Sequence, residues 1–163
     1  MSIIQEFQFE DFLTKTGWDF KQHQFEGYKW VMNKELNENM GGIIGDDMGL
    51  GKTTLMCAAI LKNFKQKTLI VVPPVLVDQW VDILKKHCGL KPVKVTSATK
   101  SYTSVCSYIR DLPEKNDFDE PQVVVTTYGM LIRHKNFGKP NYVCPYHKKA
   151  IRSTRWGRII FDE

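Results

Sequence analysis

Apolar positions along this chain change period from one region to the next. Over the first forty residues they recur at helical spacing, as Phe7, Phe9, Phe12 and Leu13, then Phe25, Tyr28, Trp30 and Met32. That spacing fits a helix better than a strand's alternation. Beyond it, short β-branched runs alternate with mixed stretches. Gly42-Ile43-Ile44 is the first strand candidate, and Lys52 to Lys65 reads as a helix. The run Thr68-Leu-Ile-Val-Val, stopped by Pro73-Pro74, is what a buried parallel strand looks like. Val75 to His87 reads as a helix closed by Gly89, and Val93 to Val95 as a weaker strand. Ser101 to Leu112 reads as helical and Glu114 to Pro121 as a polar loop. Gln122 to Thr127 is another buried strand, with a short helix from Tyr128. Phe137 to Thr154 is the least ordered stretch by composition, and Trp156 to Glu163 returns to strand, the last one expected to be central in the sheet. Strands alternating with helices predict an α/β fold, with right-handed crossovers and a mostly parallel sheet covered on both faces. Ligands of such sheets bind beyond the carboxyl ends of the strands.

Composition narrows the class. The chain has 163 residues, enough for one full core and too few for two large lobes. Hydrophobic residues make up 42% and charged residues 25%, the balance of a soluble globular protein. No apolar run approaches the roughly 20 residues that cross a bilayer. The N-terminus has no basic segment ahead of an apolar one, so a secretory signal is not expected. Cys57, Cys88, Cys106 and Cys144 are scattered and read as free thiols. The net charge of +5 is uneven: eight Lys or Arg and no Asp or Glu lie between Leu131 and Arg158. A basic segment on a mildly acidic body suits a polyanion such as nucleic acid, or simply a solvated loop.

Two stretches carry chemistry. Gly45-Asp46-Asp47-Met48-Gly49-Leu50-Gly51-Lys52-Thr53 lies between a strand candidate and a helix. Without Cβ atoms at Gly49 and Gly51, the backbone N–H groups there can wrap a phosphate. The helix beginning near Lys52 adds its positive end. Lys52 can reach β- and γ-phosphates, and the Thr53 hydroxyl suits Mg²⁺. The strict Gly-x-x-x-x-Gly-Lys-Thr rule asks for Gly where Asp46 stands. Asp47, Met48, Gly49, Leu50, Gly51, Lys52, Thr53 and Thr54 form the expected ATP-binding loop. The bland alternative is a chance Gly-rich turn, which strand before, helix after and an intact Gly-Lys-Thr disfavour. The second stretch is Ile159-Ile160-Phe161-Asp162-Glu163. Asp162 should emerge at a strand's carboxyl end and hold Mg²⁺, while Glu163 orients and deprotonates an attacking water. By itself an acid after a buried strand is a common cap.

Taken in order, these stretches resemble the Swi/Snf-type DNA translocases of helicase superfamily two. Asp46 to Thr53 is similar to that family's nucleotide loop, which commonly has Asp at that place. His23-Gln24-Phe25-Glu26-Gly27-Tyr28-Lys29-Trp30 resembles its glutamine motif. Leu69 to Trp80 resembles the strand-and-helix motif that follows the loop. Val123-Val-Val-Thr-Thr-Tyr128 resembles a DNA-facing motif, and Trp156 to Glu163 the start of an Asp-Glu-x-His box. A narrower resemblance is to members from large DNA viruses, including a baculovirus global transactivator group.

The resemblance implies a three-layer RecA-like P-loop NTPase lobe truncated at the Asp-Glu box strand. It implies residues 1–20 as an N-terminal extension and 21–163 as an incomplete first lobe, with a second RecA-like lobe expected as a missing partner. It further implies that Gln24 reads adenine, an edge that an amide can meet by donating and accepting at once. Lys52 and Glu163 would be the catalytic residues, with ATP and Mg²⁺ as cofactors and double-stranded DNA as partner. Pro73, Pro74, Thr126 and Thr127 would face DNA phosphates, with ordinary strand filling the alternative for both threonines. Lys148 and Lys149 would touch DNA or face water. The expected function is ATP hydrolysis coupled to movement on DNA in the nucleus or a viral host, with no membrane. The isolated chain is expected to hydrolyse ATP poorly, because an arginine finger from the other lobe is worth several powers of ten in rate in other phosphoryl-transfer enzymes. A non-catalytic ATP- or DNA-binding fragment and a different P-loop NTPase are the alternatives. Cys144 and His147 have metal-ligand spacing, with His134 near, but make only half a zinc site.

Overall fold

The computed structural model describes residues 8–38, 41–65, 67–97, 123–132, 151–152 and 154–162. Two compact units divide the chain, residues 1–64 and 65–163.

The first unit is helical. Helix α1 (Phe9–Thr16) buries Phe9, Phe12 and Leu13, an i, i+3, i+4 stripe, and ends at Gly17 in the left-handed conformation. Helix α2 (Gln22–Asn33) buries Gln24, Tyr28, Val31 and Met32 along one face. Phe9 stacks on Tyr28 with ring centroids 4.9 Å apart, so α1 and α2 share an aromatic core. A π-helical turn, Lys34–Glu38, continues α2. Helix α3 (Lys52–Lys62) buries Leu55, Cys57, Ala58, Ala59 and Ile60. It lies close on α2, where a Cβ at Gly27 would come 2.5 Å from Leu55 Cδ1. The helix stops at Asn63, short of the expected Lys65.

The second unit is built on a parallel sheet of order β2-β3-β1-β4, where β1 is Thr68–Val72, β2 Val93–Val95, β3 Val123–Thr127 and β4 Arg158–Phe161. Ile70 pairs with Val125 on one side and Ile160 on the other. Every residue of β1 and β3 is buried, which is why both read as unbroken β-branched runs. Burying one such Ile stabilises by roughly 1.5–3 kcal/mol. Pro73 cannot extend the ladder, and a 3₁₀ turn at Pro74–Leu76 leads into α4 (Val77–Cys88). Helix α4 buries Val77, Trp80, Val81 and Leu84, carries Lys85, Lys86 and His87 in its last turn, and is capped by left-handed Gly89. A short α5 (Tyr128–Leu131) follows β3 directly.

Two expectations are corrected. Gly42-Ile43-Ile44 is not a strand: residues 41–47 have no regular structure, and Ile43 is 91% exposed. The Trp30 ring lies against Gly42, where any Cβ would collide. Three residues between glycines are too short a run to hold a strand by propensity alone. The terminal strand is likewise not central. Among the described residues β4 pairs only with β1, and its burial alternates, with Ile159 and Phe161 exposed. The expected helix at Ser101–Leu112, the loop at Glu114–Pro121 and most of Phe137–Thr154 lie outside the described residues.

Candidate nucleotide site

In the first unit, glycine geometry sets the loop. Gly49 and Gly51 have φ of 81° and 83°, a region that a side chain makes costly. Gly51 is also the N-cap of α3, with no side chain capping the helix. The N–H groups of the first turn are therefore available to an anion. Leu50 N–H closes a turn on Asp47 O at 3.4 Å, and Met48 stands 79% exposed at its tip. Lys52 Nζ donates to the carbonyls of Asp46 at 2.7 Å and Asp47 at 3.4 Å, so the cation reaches back across the loop. Thr53 and Thr54 are half-buried on the same turn.

Gln24 is buried at 5% exposure, and its Nε2 donates to Leu50 O at 2.9 Å. The opposite amide orientation would face oxygen to oxygen, so this bond fixes the side chain's sense. Its Oε1 is buried without a hydrogen-bond partner. An orphaned buried acceptor costs about 1–3 kcal/mol. Its natural complement is an N–H donor such as adenine's exocyclic amine, and the second Nε2 hydrogen can serve a ring nitrogen. Leu50 O also meets His23 Nε2 at 2.9 Å. Two consecutive side chains of α2 thus grip one carbonyl of the loop. Sequence reasoning missed this clasp, and the His23-Gln24 pair is its only trace in the sequence. A Cβ at Gly51 would collide with Gln24 Nε2, so that glycine is required by packing as well as by φ.

In the second unit, Pro73, Tyr128 and Asp162 follow β1, β3 and β4 at the same carboxyl edge of the sheet. Asp162 is half-buried. Its N–H donates to Val71 O at 2.9 Å, its carbonyl accepts from the Tyr128 hydroxyl at 3.1 Å, and its Oδ2 accepts from Trp80 Nε1 at 2.7 Å. The carboxylate oxygens are hard donors of the kind Mg²⁺ takes.

Thr126 is corrected. It is fully buried, and its hydroxyl donates to Val95 O at 2.7 Å, so it ties β3 to β2 instead of facing a phosphate. Thr127, at 9% exposure, lies at the strand's end beside Tyr128. Pro74 is exposed and Pro73 half-buried. Glu163, Lys148, Lys149, His134, Cys144 and His147 lie outside the described residues. Among the described residues no cluster of His, Cys, Asp or Glu could by itself hold a metal ion, and no helix is long and apolar enough to cross a membrane.

The family model for the SNF2-related domain matches residues 23–163. The chain is similar to a probable global transactivator of Orgyia pseudotsugata multicapsid polyhedrosis virus, 30% identical over 145 residues, covering 87% of this chain and 26% of the relative. It is similar to the ISWI chromatin-remodeling complex ATPase ISW2 of Saccharomyces cerevisiae, 30% identical over 149 residues, covering 88% of this chain and 12% of the relative. It is also similar to the DNA repair and recombination protein RAD54B of Homo sapiens, 30% identical over 128 residues, covering 69% and 13%. The chain thus spans between 12% and 26% of the length of these relatives. A family match that takes in the loop, the buried glutamine and the strand-end aspartate allows a plain assignment: this chain belongs to the SNF2-related domain family.

Proposed function

We propose that this chain is the ATP-binding part of an ATP-dependent, double-stranded DNA translocase. The observation that carries the reading is Gln24: a buried amide, clamped to the phosphate-loop candidate at Leu50, with an unsatisfied acceptor. Such an arrangement suits adenine on one side and a polyphosphate on the other. Gly49 and Gly51 open the loop's backbone to phosphate oxygens, and Lys52 turns from the Asp46 and Asp47 carbonyls to the β- and γ-phosphates. Met48, Leu50 and Thr54 shape the loop around them.

The Thr53 hydroxyl and the Asp162 carboxylate are oxygen donors of the type Mg²⁺ takes. Bound Mg²⁺ would neutralise charge on the phosphates during transfer. Glu163 is the assigned base that orients water. Duplex DNA is the assigned partner, met by the Pro73-Pro74 turn, Thr127 and the basic residues Lys148 and Lys149 through phosphates and without sequence reading. A second RecA-like lobe completes the machine, and the site of action is the nucleus. The similarity to named remodeling and repair proteins supports this reading.

Calorimetry of Mg·ATP binding to the 163-residue chain, beside Lys52→Ala, tests it. Binding in the micromolar to millimolar range that is lost in the variant supports an ATP site. A folded wild-type chain that binds no ATP would falsify it and favour a purely interacting role. DNA affinity that ignores ATP and persists in Lys52→Ala would favour a non-catalytic DNA-binding fragment.

A further inference from the structure

Trp80 lies on the buried stripe of α4 with 2% of its surface exposed. A buried indole N–H needs an acceptor, and many find a backbone carbonyl or water. This one instead meets a carboxylate 82 positions away, Asp162 Oδ2, at 2.7 Å. The bond is charge-assisted and short. Indole is a donor only and keeps its proton at every pH the fold meets. A ring of that size, buried to 2% exposure, cannot swing freely away from the carboxylate.

The consequence is geometric. One oxygen of Asp162 is held, which stops rotation of the carboxylate and turns Oδ1 into a defined direction. The Tyr128 hydroxyl donates to the backbone carbonyl of the same aspartate at 3.1 Å, and its ring stacks on Phe161 with centroids 6.2 Å apart. Loss of a hydrogen bond that orients a metal ligand typically costs about 10–100-fold in metal affinity.

We infer that Trp80 is a positioning residue for a divalent cation held at Asp162, acting by orienting that carboxylate. The inference rests on the assignment of Asp162 as an Mg²⁺ ligand. It goes beyond the filling of a core, because filling alone requires no carboxylate at the indole.

The experiment compares ATP affinity in Mg²⁺ and in EDTA for the 163-residue chain and for Trp80→Phe, which keeps a large aromatic ring and removes the N–H. The expected result is a loss of about tenfold in Mg²⁺ affinity, with Mg²⁺-free ATP binding within about twofold of wild type. A merely structural Trp80 would lower the melting temperature and leave the Mg²⁺ dependence intact, and that outcome overturns the inference. Asp162→Asn separates the two layers. If it abolishes the Mg²⁺ dependence while Trp80→Phe does not, only the inference fails. If it leaves the dependence intact, the assignment of Asp162 fails and takes the inference with it. Should Trp80→Phe not fold, the indole ¹⁵N–H resonance of Trp80 in the wild-type chain is the readout. It should shift when Mg²⁺ is added to the ATP-bound chain, and an unmoved resonance overturns the inference.

Discussion

The phosphate-loop candidate of the first unit and the Asp162 corner of the second are built on opposite principles. The loop from Gly45 to Thr53 owes its shape to side chains it lacks: left-handed Gly49 and Gly51, with Gln24 filling the space a Cβ would need. The corner at Asp162 owes its shape to side chains that are present, with Trp80 and Tyr128 bonded to it and a fully buried strand beneath. A glycine-built loop exposes backbone donors and can close on a variable anion. A strand-end carboxylate braced by aromatics presents one fixed oxygen. The first suits a polyphosphate, and the second suits a small hard cation.

That contrast can be broken from either side. The largest effect is expected at the strand. Ile70→Ala empties the centre of the sheet and should cost about 2–5 kcal/mol, read as a lower urea midpoint. Asp162 should loosen with it, since its N–H is held by Val71 next door. Gly51→Ala comes next. It should cost about 1–2 kcal/mol for the left-handed backbone and about 1 kcal/mol more for the displaced Gln24–Leu50 bond. ATP affinity should fall with it in a titration, and an alanine variant that binds ATP as the wild type does would refute the packing argument.

Tyr128→Phe is milder, about 0.5–1.5 kcal/mol for one hydrogen bond, with the ring stack on Phe161 kept. The smallest effect concerns Tyr28, whose hydroxyl burial pushes above its usual pKa of 10.0. The unfolded chain ionises first, so the contribution of the neutral phenol is complete below pH 10.0 and is lost as pH rises through the raised value. In alkaline melts the wild type should therefore lose stability faster than Tyr28→Phe. Parallel curves would show that the ring's burial carries no linkage.

Much of the second unit is legible in the residues. Thr68–Val72 and Val123–Thr127 are continuous β-branched runs, and both are strands with every residue buried. The Pro73-Pro74 stop and the Gly89 cap fall where local chemistry puts them. Gly42-Ile43-Ile44 is a strand candidate by residue type and is not a strand, since two β-branched residues among glycines carry too little propensity to fix the backbone. For Thr126 the resemblance implies a phosphate contact and the residue type allows strand filling; the side chain is a buried tie to Val95, a choice between two faces that period alone does not make.

The sequence by itself determined the two buried strands at Thr68–Val72 and Val123–Thr127, the helix after Pro74, the parallel α/β class, the glycine-rich loop and the family. Each depends on local periodicity, on backbone freedom at particular residues or on motif order. Only the tertiary structure decided that Gln24 grips Leu50 with one atom left unpaired, that β4 lies at the edge of the described sheet, and that Trp80 reaches Asp162. Those are contacts between residues 26 to 82 positions apart. Long-range contacts are set by how whole elements pack, and nothing in the local pattern of a Trp or a Gln records which distant atom its polar edge will meet.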